Sequence, residues 1–197
     1  YTWELKVPVP YLARKGYTHD PPMPAFLLEE PYDEEGPDGN NYNPNATQPV
    51  RRFQWWGWLS TIGGYISGNG YVWPFIDPEW QQHLETKGTQ DMMRLNKFIK
   101  SVEWWKLVPA GLSGMKNIIA DPVNIDTAGS YISAAAAKDG SLLVAYIPPA
   151  HKGGVKVDLS VLSKPGFVYW FDPTDGRYIP IGASPVNNTG IREFTPP

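Results

Sequence analysis

A run of four apolar residues, Ala25-Phe26-Leu27-Leu28, passes without a linker into Glu29-Glu30-Pro31-Tyr32-Asp33-Glu34-Glu35. A strand buried on both faces reads as a continuous apolar run, as in parallel sheets covered by helices. Charges at the C-terminal end of such a strand stand where parallel α/β folds, barrels above all, place their chemistry. Carboxylates beside aromatic rings at that rim meet the needs of sugar cleavage: acid, base or nucleophile, with flat faces for the sugar. The competing reading is an edge strand followed by a solvated loop, and this stretch alone leaves both open.

Composition narrows the field. The 197 residues suffice for one large domain or two small ones with a real core. A net charge of -3 without a basic stripe argues against a nucleic-acid partner. Nine Trp and eleven Tyr are many for this length; some belong to a core, and the excess with low charge also fits a surface that stacks on sugars. Without Cys there is no disulfide framework, thiolate metal site or thiol nucleophile. No apolar run reaches membrane-spanning length and nothing at the start reads as a signal peptide, so no membrane partner is expected. The first residue is Tyr1 rather than Met, which suggests a processed, trimmed or partial chain.

The order of elements has two grammars. After a Pro- and Tyr-rich opening with a short helix expected near Tyr11-Leu12-Ala13 comes the strand Ala25–Leu28, then a loop of turn residues from Gly36 to Asn45. From about Pro49 to Ile62, Phe53, Trp56 and Leu59 recur at helical spacing; Gly63-Gly64 ends that helix, and Tyr65-Ile66-Ser67 reads as a buried strand. This is the βαβ rhythm of a parallel sheet. A second helix is expected over Thr89–Val102, with Met92, Met93, Leu95, Phe98 and Ile99 on its apolar face. From about Lys116 short runs of strand formers follow: Tyr131–Ala137, Leu142–Ile147, Val155–Leu159, Phe167–Phe171 and Tyr178–Ile181, with turn signals between them. That pattern predicts an independent antiparallel β-sandwich. One or two βα units cannot close a sheet, so either the first half is the end of a larger α/β domain with an open edge for a missing or associated segment to cover, or these runs are not strands; the first reading is preferred.

Few residues carry chemistry by spacing alone. His19, His83 and His151 lack metal-ligand spacing and read as loop or surface histidines. No Gly-rich loop precedes a helix, and neither Ser60 nor Ser67 sits in a nucleophile elbow. Arg51 and Arg52 suit either a substrate or neighbouring acids such as Glu34 and Glu35. Asn69 and Trp73 follow the second strand, and share a rim with Glu29 if the two strands are parallel neighbours. Asn45-Ala46-Thr47 and Asn187-Asn188-Thr189 match the N-glycosylation triplet, relevant only in a eukaryotic secretory pathway.

The ordered series FLLEEPYDEE, RRFQWWGWLSTIGGYISGNGYVWPF, WWKLVP, DGSLLVAYIP, VDLSVLS, WFDPTDGRY and FTPP resembles the C-terminal portion of apiosidase-like glycoside hydrolases, over essentially the whole chain. These are bacterial enzymes with a TIM-barrel catalytic domain followed by a small β-domain often labelled collagen-binding. The resemblance implies that residues 1–115 are the C-terminal part of a (β/α)8 barrel and 116–197 the β-sandwich. It also implies a secreted or periplasmic location, and a sequence that runs one strand further than Pro197.

The family pattern at the strand end is a Glu, two variable residues, then Tyr-Glu. Glu29 and Tyr32 match it, while Asp33 replaces the second Glu. The resemblance therefore implies Glu29 as nucleophile of a retaining two-carboxylate mechanism, with Glu30 the runner-up by adjacency. The family's general acid, an Asp on an earlier strand, has no counterpart in this chain. Tyr32, Arg51, Asn69 and Trp73 are the expected substrate contacts, and no metal or organic cofactor is implied. The alternative is a non-catalytic module that binds carbohydrate or matrix through the β-domain.

Overall fold

The computed structural model describes residues 14–21, 25–27, 32–34, 47–73, 75, 78–120 and 129–197. Within them two long helices, α1 (Thr47–Thr61) and α2 (Lys87–Ser101), precede seven short strands. These are β1 (Leu107–Pro109), β2 (Ser133–Ala137), β3 (Leu143–Tyr146), β4 (Val155–Asp158), β5 (Tyr169–Phe171), β6 (Tyr178–Pro180) and β7 (Ile191–Phe194). The expected helix at 11–13 and the loop at 36–45 lie outside the described residues; a helical turn occupies 14–17.

The helix ends follow from local chemistry. Thr61 folds its hydroxyl onto the Gly57 carbonyl (2.9 Å), and its oxygen accepts the Gly63 N–H (2.9 Å). Ile62 then takes a left-handed φ of 51°, which turns the chain out of α1 toward Tyr65. At α2 the Thr86 side chain accepts the Thr89 N–H (3.3 Å), an N-cap that starts the helix two residues ahead of the expected Thr89.

The two expected strands are parallel neighbours where they are described. Leu27 bridges Tyr65 in parallel, with the Leu27 N–H on Gly64 O (3.2 Å) and the Ile66 N–H on Leu27 O (2.9 Å). A second parallel bridge joins Asp33 to Asn69. Among the described residues the pairing consists of these two bridges. The Leu27 side chain lies against α1 at Gly57, where an added Cβ would come 2.7 Å from Leu27 Cδ1. Glycine at that position permits the helix to approach the strand.

One apolar face was expected of α1, yet the helix is buried all round. Phe53, Trp56 and Leu59 are inaccessible, and Trp55 and Trp58 are buried as well. The reason is a second layer. Trp55 stacks on Tyr146 of β3 (centroids 5.5 Å apart, planes 9° apart), and Trp56 Nε1 donates to the Tyr131 carbonyl (2.9 Å). The sheet β1-β2-β3 therefore covers the side of α1 that Leu27 leaves open.

That sheet is antiparallel, with Leu107 opposite Ala137 and Ser133 opposite Tyr146. Its central strand, SAAAA, is buried along its whole length. Ala135 faces the helices, while Ala134 and Ala136 face a second core with Ile118, Val155, Val157 and Phe194. Small side chains on both faces let both layers close on β2. The remaining strands form two ribbons, β4 with β7 and β5 with β6.

All five strand runs expected after Lys116 are present, each trimmed at one or both ends. Two strands escaped sequence reading. β1 is three residues ending in a proline, which an edge position tolerates, and β7 is mostly exposed and charged. β1 precedes Lys116, so the three-stranded sheet straddles the expected boundary. The described strands form three small antiparallel sheets rather than two continuous ones.

Candidate active site

Past the Leu27–Tyr65 bridge both strands end in polar turns, and two carboxylates from the first strand are committed there. Asp33 is almost fully buried. Its Oδ2 accepts the Gly88 N–H (3.1 Å) and the Thr86 hydroxyl. An added Cβ at Gly88 would overlap the Asp33 carboxylate. The position where the family pattern carries Glu is used here to pin the strand end to the first turn of α2, where a negative charge suits the helix dipole.

Glu34 follows at a left-handed φ of 60° and is also buried. Its Oε2 accepts from Asn69 Nδ2 (3.1 Å) and lies 3.0 Å from His83 Nδ1. A carboxylate can only accept, so His83 presents its Nδ1–H. The His83 ring in turn lies over Tyr71 (centroids 3.8 Å apart). Asn69 uses its other end too, Oδ1 accepting the N–H groups of Tyr71 and Val72 at 2.9 Å each.

Aromatic rings flank this polar knot. Trp73, whose N–H is held by the Asn69 carbonyl (2.9 Å), leaves 65% of its surface exposed. Phe75 is similarly open and meets Trp80 edge-on (5.2 Å). The Tyr32 ring lies on Gly68, where an added Cβ would stand 2.9 Å from it. Close approach of ring to backbone again requires glycine.

Arg51 lies apart from this group. Its Nε faces Asp91 Oδ2 (3.6 Å), and Arg94 donates to the other oxygen (2.9 Å). Burial pushes the Asp91 carboxyl up and the two guanidinium groups pull it back. Arg51 thus ties α1 to α2 rather than meeting Glu34. Arg52 is buried with its guanidinium 5.0 Å from the Trp56 ring centre, and burial lowers its pKa.

Of the sequence candidates, Tyr32, Asn69 and Trp73 stand at this polar corner, while Glu29 and Glu30 lie outside the described residues. Sequence reading passed over two participants, Glu34 and His83. Nothing at 49 residues' separation marks them as partners; only the SGNG turn around Asn69 hinted at a fixed corner. Among the described residues no group of three potential metal ligands comes together.

Residues 8–106 match the family model "Apiosidase-like, catalytic domain". The chain belongs to the apiosidase-like family. Residues 116–197 match a second model, "Putative collagen-binding domain of a collagenase". Among solved structures the chain is similar to one described as a glycoside hydrolase, at TM-score 0.77 and 19% identity, over 94% of this chain and 42% of that one. A glycoside hydrolase family 5 crystal structure from Bacteroides vulgatus matches equally, at 0.77 and 19%, over 94% of this chain and 41% of that one. The chain therefore spans less than half the length of these structures, and identity at this level speaks for the fold. No curated protein matches.

Proposed function

We propose that the chain is the C-terminal part of a retaining glycoside hydrolase. Residues 1–115 supply the last strands of a TIM barrel, and 116–197 form an accessory β-sandwich. The observation that carries this reading is the parallel pairing of the Leu27 and Tyr65 segments, which ends in a polar and aromatic rim inside the stretch that matches an apiosidase-like catalytic domain. In a parallel barrel that edge is the catalytic one.

In the proposed mechanism Glu29 attacks the anomeric carbon, and an acid about 5–5.5 Å away protonates the leaving oxygen. That acid comes from the preceding part of the barrel. Trp73 and Tyr32 offer ring faces to the sugar. Asn69 stands at the same rim, and Arg51 is the weakest of the four candidates because its guanidinium faces Asp91. Carbohydrate is the substrate class, a plant or microbial polysaccharide, with an apiosyl-bearing glycan first to try because of the family's name. Secretion or a periplasmic location suits such a substrate.

The full-length protein should release sugar from a soluble plant cell-wall polysaccharide preparation, and the first-formed product should keep the anomeric configuration of the bond cleaved. Proton NMR of the anomeric region reads both. Inverted product would overturn the retaining mechanism. Binding without release would favour the non-catalytic module.

A further inference from the structure

Resting on the rim reading above, we infer that Glu34 is a positioning residue for the exposed Trp73 platform rather than a reacting carboxylate. Its burial, its backbone and its two partners converge on that role. The side chain is 11% exposed, and the backbone holds a conformation that glycine adopts freely and glutamate does not. Strain of that kind persists where surrounding contacts over-determine it, and it concentrates at functional sites.

Those contacts are specific. Asn69 Nδ2 and His83 Nδ1 converge on one oxygen, Oε2, from 35 and 49 residues away. Each partner then acts on the turn that carries Trp73. Asn69 holds the N–H groups of Tyr71 and Val72 on its side chain and that of Trp73 on its carbonyl. His83 presses its ring on Tyr71. Glu34 is thus the point at which the first strand's end, the Asn69–Trp73 turn and the 3-10 turn Trp80–His83 are tied together. A carboxylate that attacks or protonates a glycosidic bond needs an approach to the sugar, whereas this side chain is buried and its Oε2 is held by two protein donors.

Because both donors meet a single oxygen, a glutamine carbonyl can replace it, and the variants separate the roles. In the full-length protein labelled with 5-fluorotryptophan, the Trp73 fluorine line is assigned by its loss in Trp73→Phe. Glu34→Gly removes the carboxylate and relieves the left-handed strain together. It should shift or broaden that line and raise KM for soluble plant cell-wall polysaccharide roughly tenfold, with kcat within about twofold, read well below a thermal midpoint that the loss of two hydrogen bonds to the carboxylate lowers. Glu34→Gln should restore the line and the KM. If Glu34→Gln abolishes turnover, the residue is itself catalytic and the inference is overturned. If Glu34→Gly leaves the Trp73 line and KM unchanged, it is overturned as well. Should the line shift in Glu34→Gly while Trp73→Ala leaves KM untouched, the positioning stands and the sugar-platform reading fails.

Discussion

Replacing Gly88 by alanine tests the link between the strand end and α2, and it tests it by sign. In a helix, Gly→Ala ordinarily stabilises by about 1 kcal/mol. Gly88 sits in the first turn of α2, outside the left-handed region, so propensity alone predicts that gain. The added Cβ, however, would overlap the Asp33 carboxylate, which is buried and takes its hydrogen bonds from the Gly88 N–H and the Thr86 hydroxyl. Hydrogen bonds to a charged group contribute about 1.5–3 kcal/mol each. Losing or bending both outweighs the propensity gain, and a net destabilisation of about 2–5 kcal/mol is expected. Urea titration of the full-length protein, followed by tryptophan fluorescence, reads the change. The double-mutant cycle sharpens it, because Asp33→Ala vacates the space that the added methyl group needs. In that background Gly88→Ala should turn neutral or stabilising. A stabilised Gly88→Ala single variant would refute the anchor, since the carboxylate would then have somewhere else to go.

Three further outcomes follow from other residues. Glu29→Gln in the full-length enzyme should remove nearly all turnover with little effect on folding, and Glu30→Gln should cost far less. A lethal Glu30→Gln beside an active Glu29→Gln would put the motif match one residue off. Trp55→Ala should destabilise by about 3–5 kcal/mol, because it empties the contact between α1, Phe98, Tyr146 and Phe171; a loss under about 1 kcal/mol in chemical denaturation would contradict a shared core. Burial pushes the Tyr146 phenol up to about 12 from 10.0. A raised folded value means that its contribution is complete below about pH 10 and is lost as pH rises through the folded value. Denaturation at intervals across that window should therefore show Tyr146→Phe losing less stability than wild type, and equal slopes would sink the assignment.

What the sequence revealed and what it hid divide along a physical line. Local signals were legible: the apolar stripe of α2, the Gly63-Gly64 stop of α1, and the Asp139-Gly140 turn between β2 and β3, where Gly140 takes a φ of 70° and Asp139 accepts the Ser141 N–H. So was the parallel pairing of two short runs, although Phe26 and Ile66 stand half exposed rather than covered on both faces. Tertiary commitments were not legible. Asp33 reads as a solvated acid beside Glu34 and Glu35, and only the fold brings Gly88 to it across 55 residues. His83 reads as a loop histidine until Glu34 meets it. β1 lacks a strand signature because three residues ending in proline form a strand only when an Ala-rich neighbour offers a ladder.

The same reasoning bears on how the β-region relates to the catalytic part. A tethered module would present its own closed core and a polar seam to its neighbour. Here Phe171 of β5 and Tyr178 of β6 pack on Phe98 of α2 (4.8 and 6.3 Å), and Trp55 of α1 stacks on Tyr146 of β3. β1, which leaves α2 through the Trp104–Lys106 turn, is an edge of the sheet whose other strands come from the β-region. Neither side can be withdrawn without exposing Trp55 and Ala135, both buried. α1 is therefore gripped between the Leu27 strand and the β-sheet, and the helix that follows the candidate nucleophile's strand takes its position partly from residues 133–146. Aromatic contacts of this density leave little room for independent motion. The β-region thus fixes α1 and α2, and the start of α2, through Gly88 and Thr86, holds Asp33.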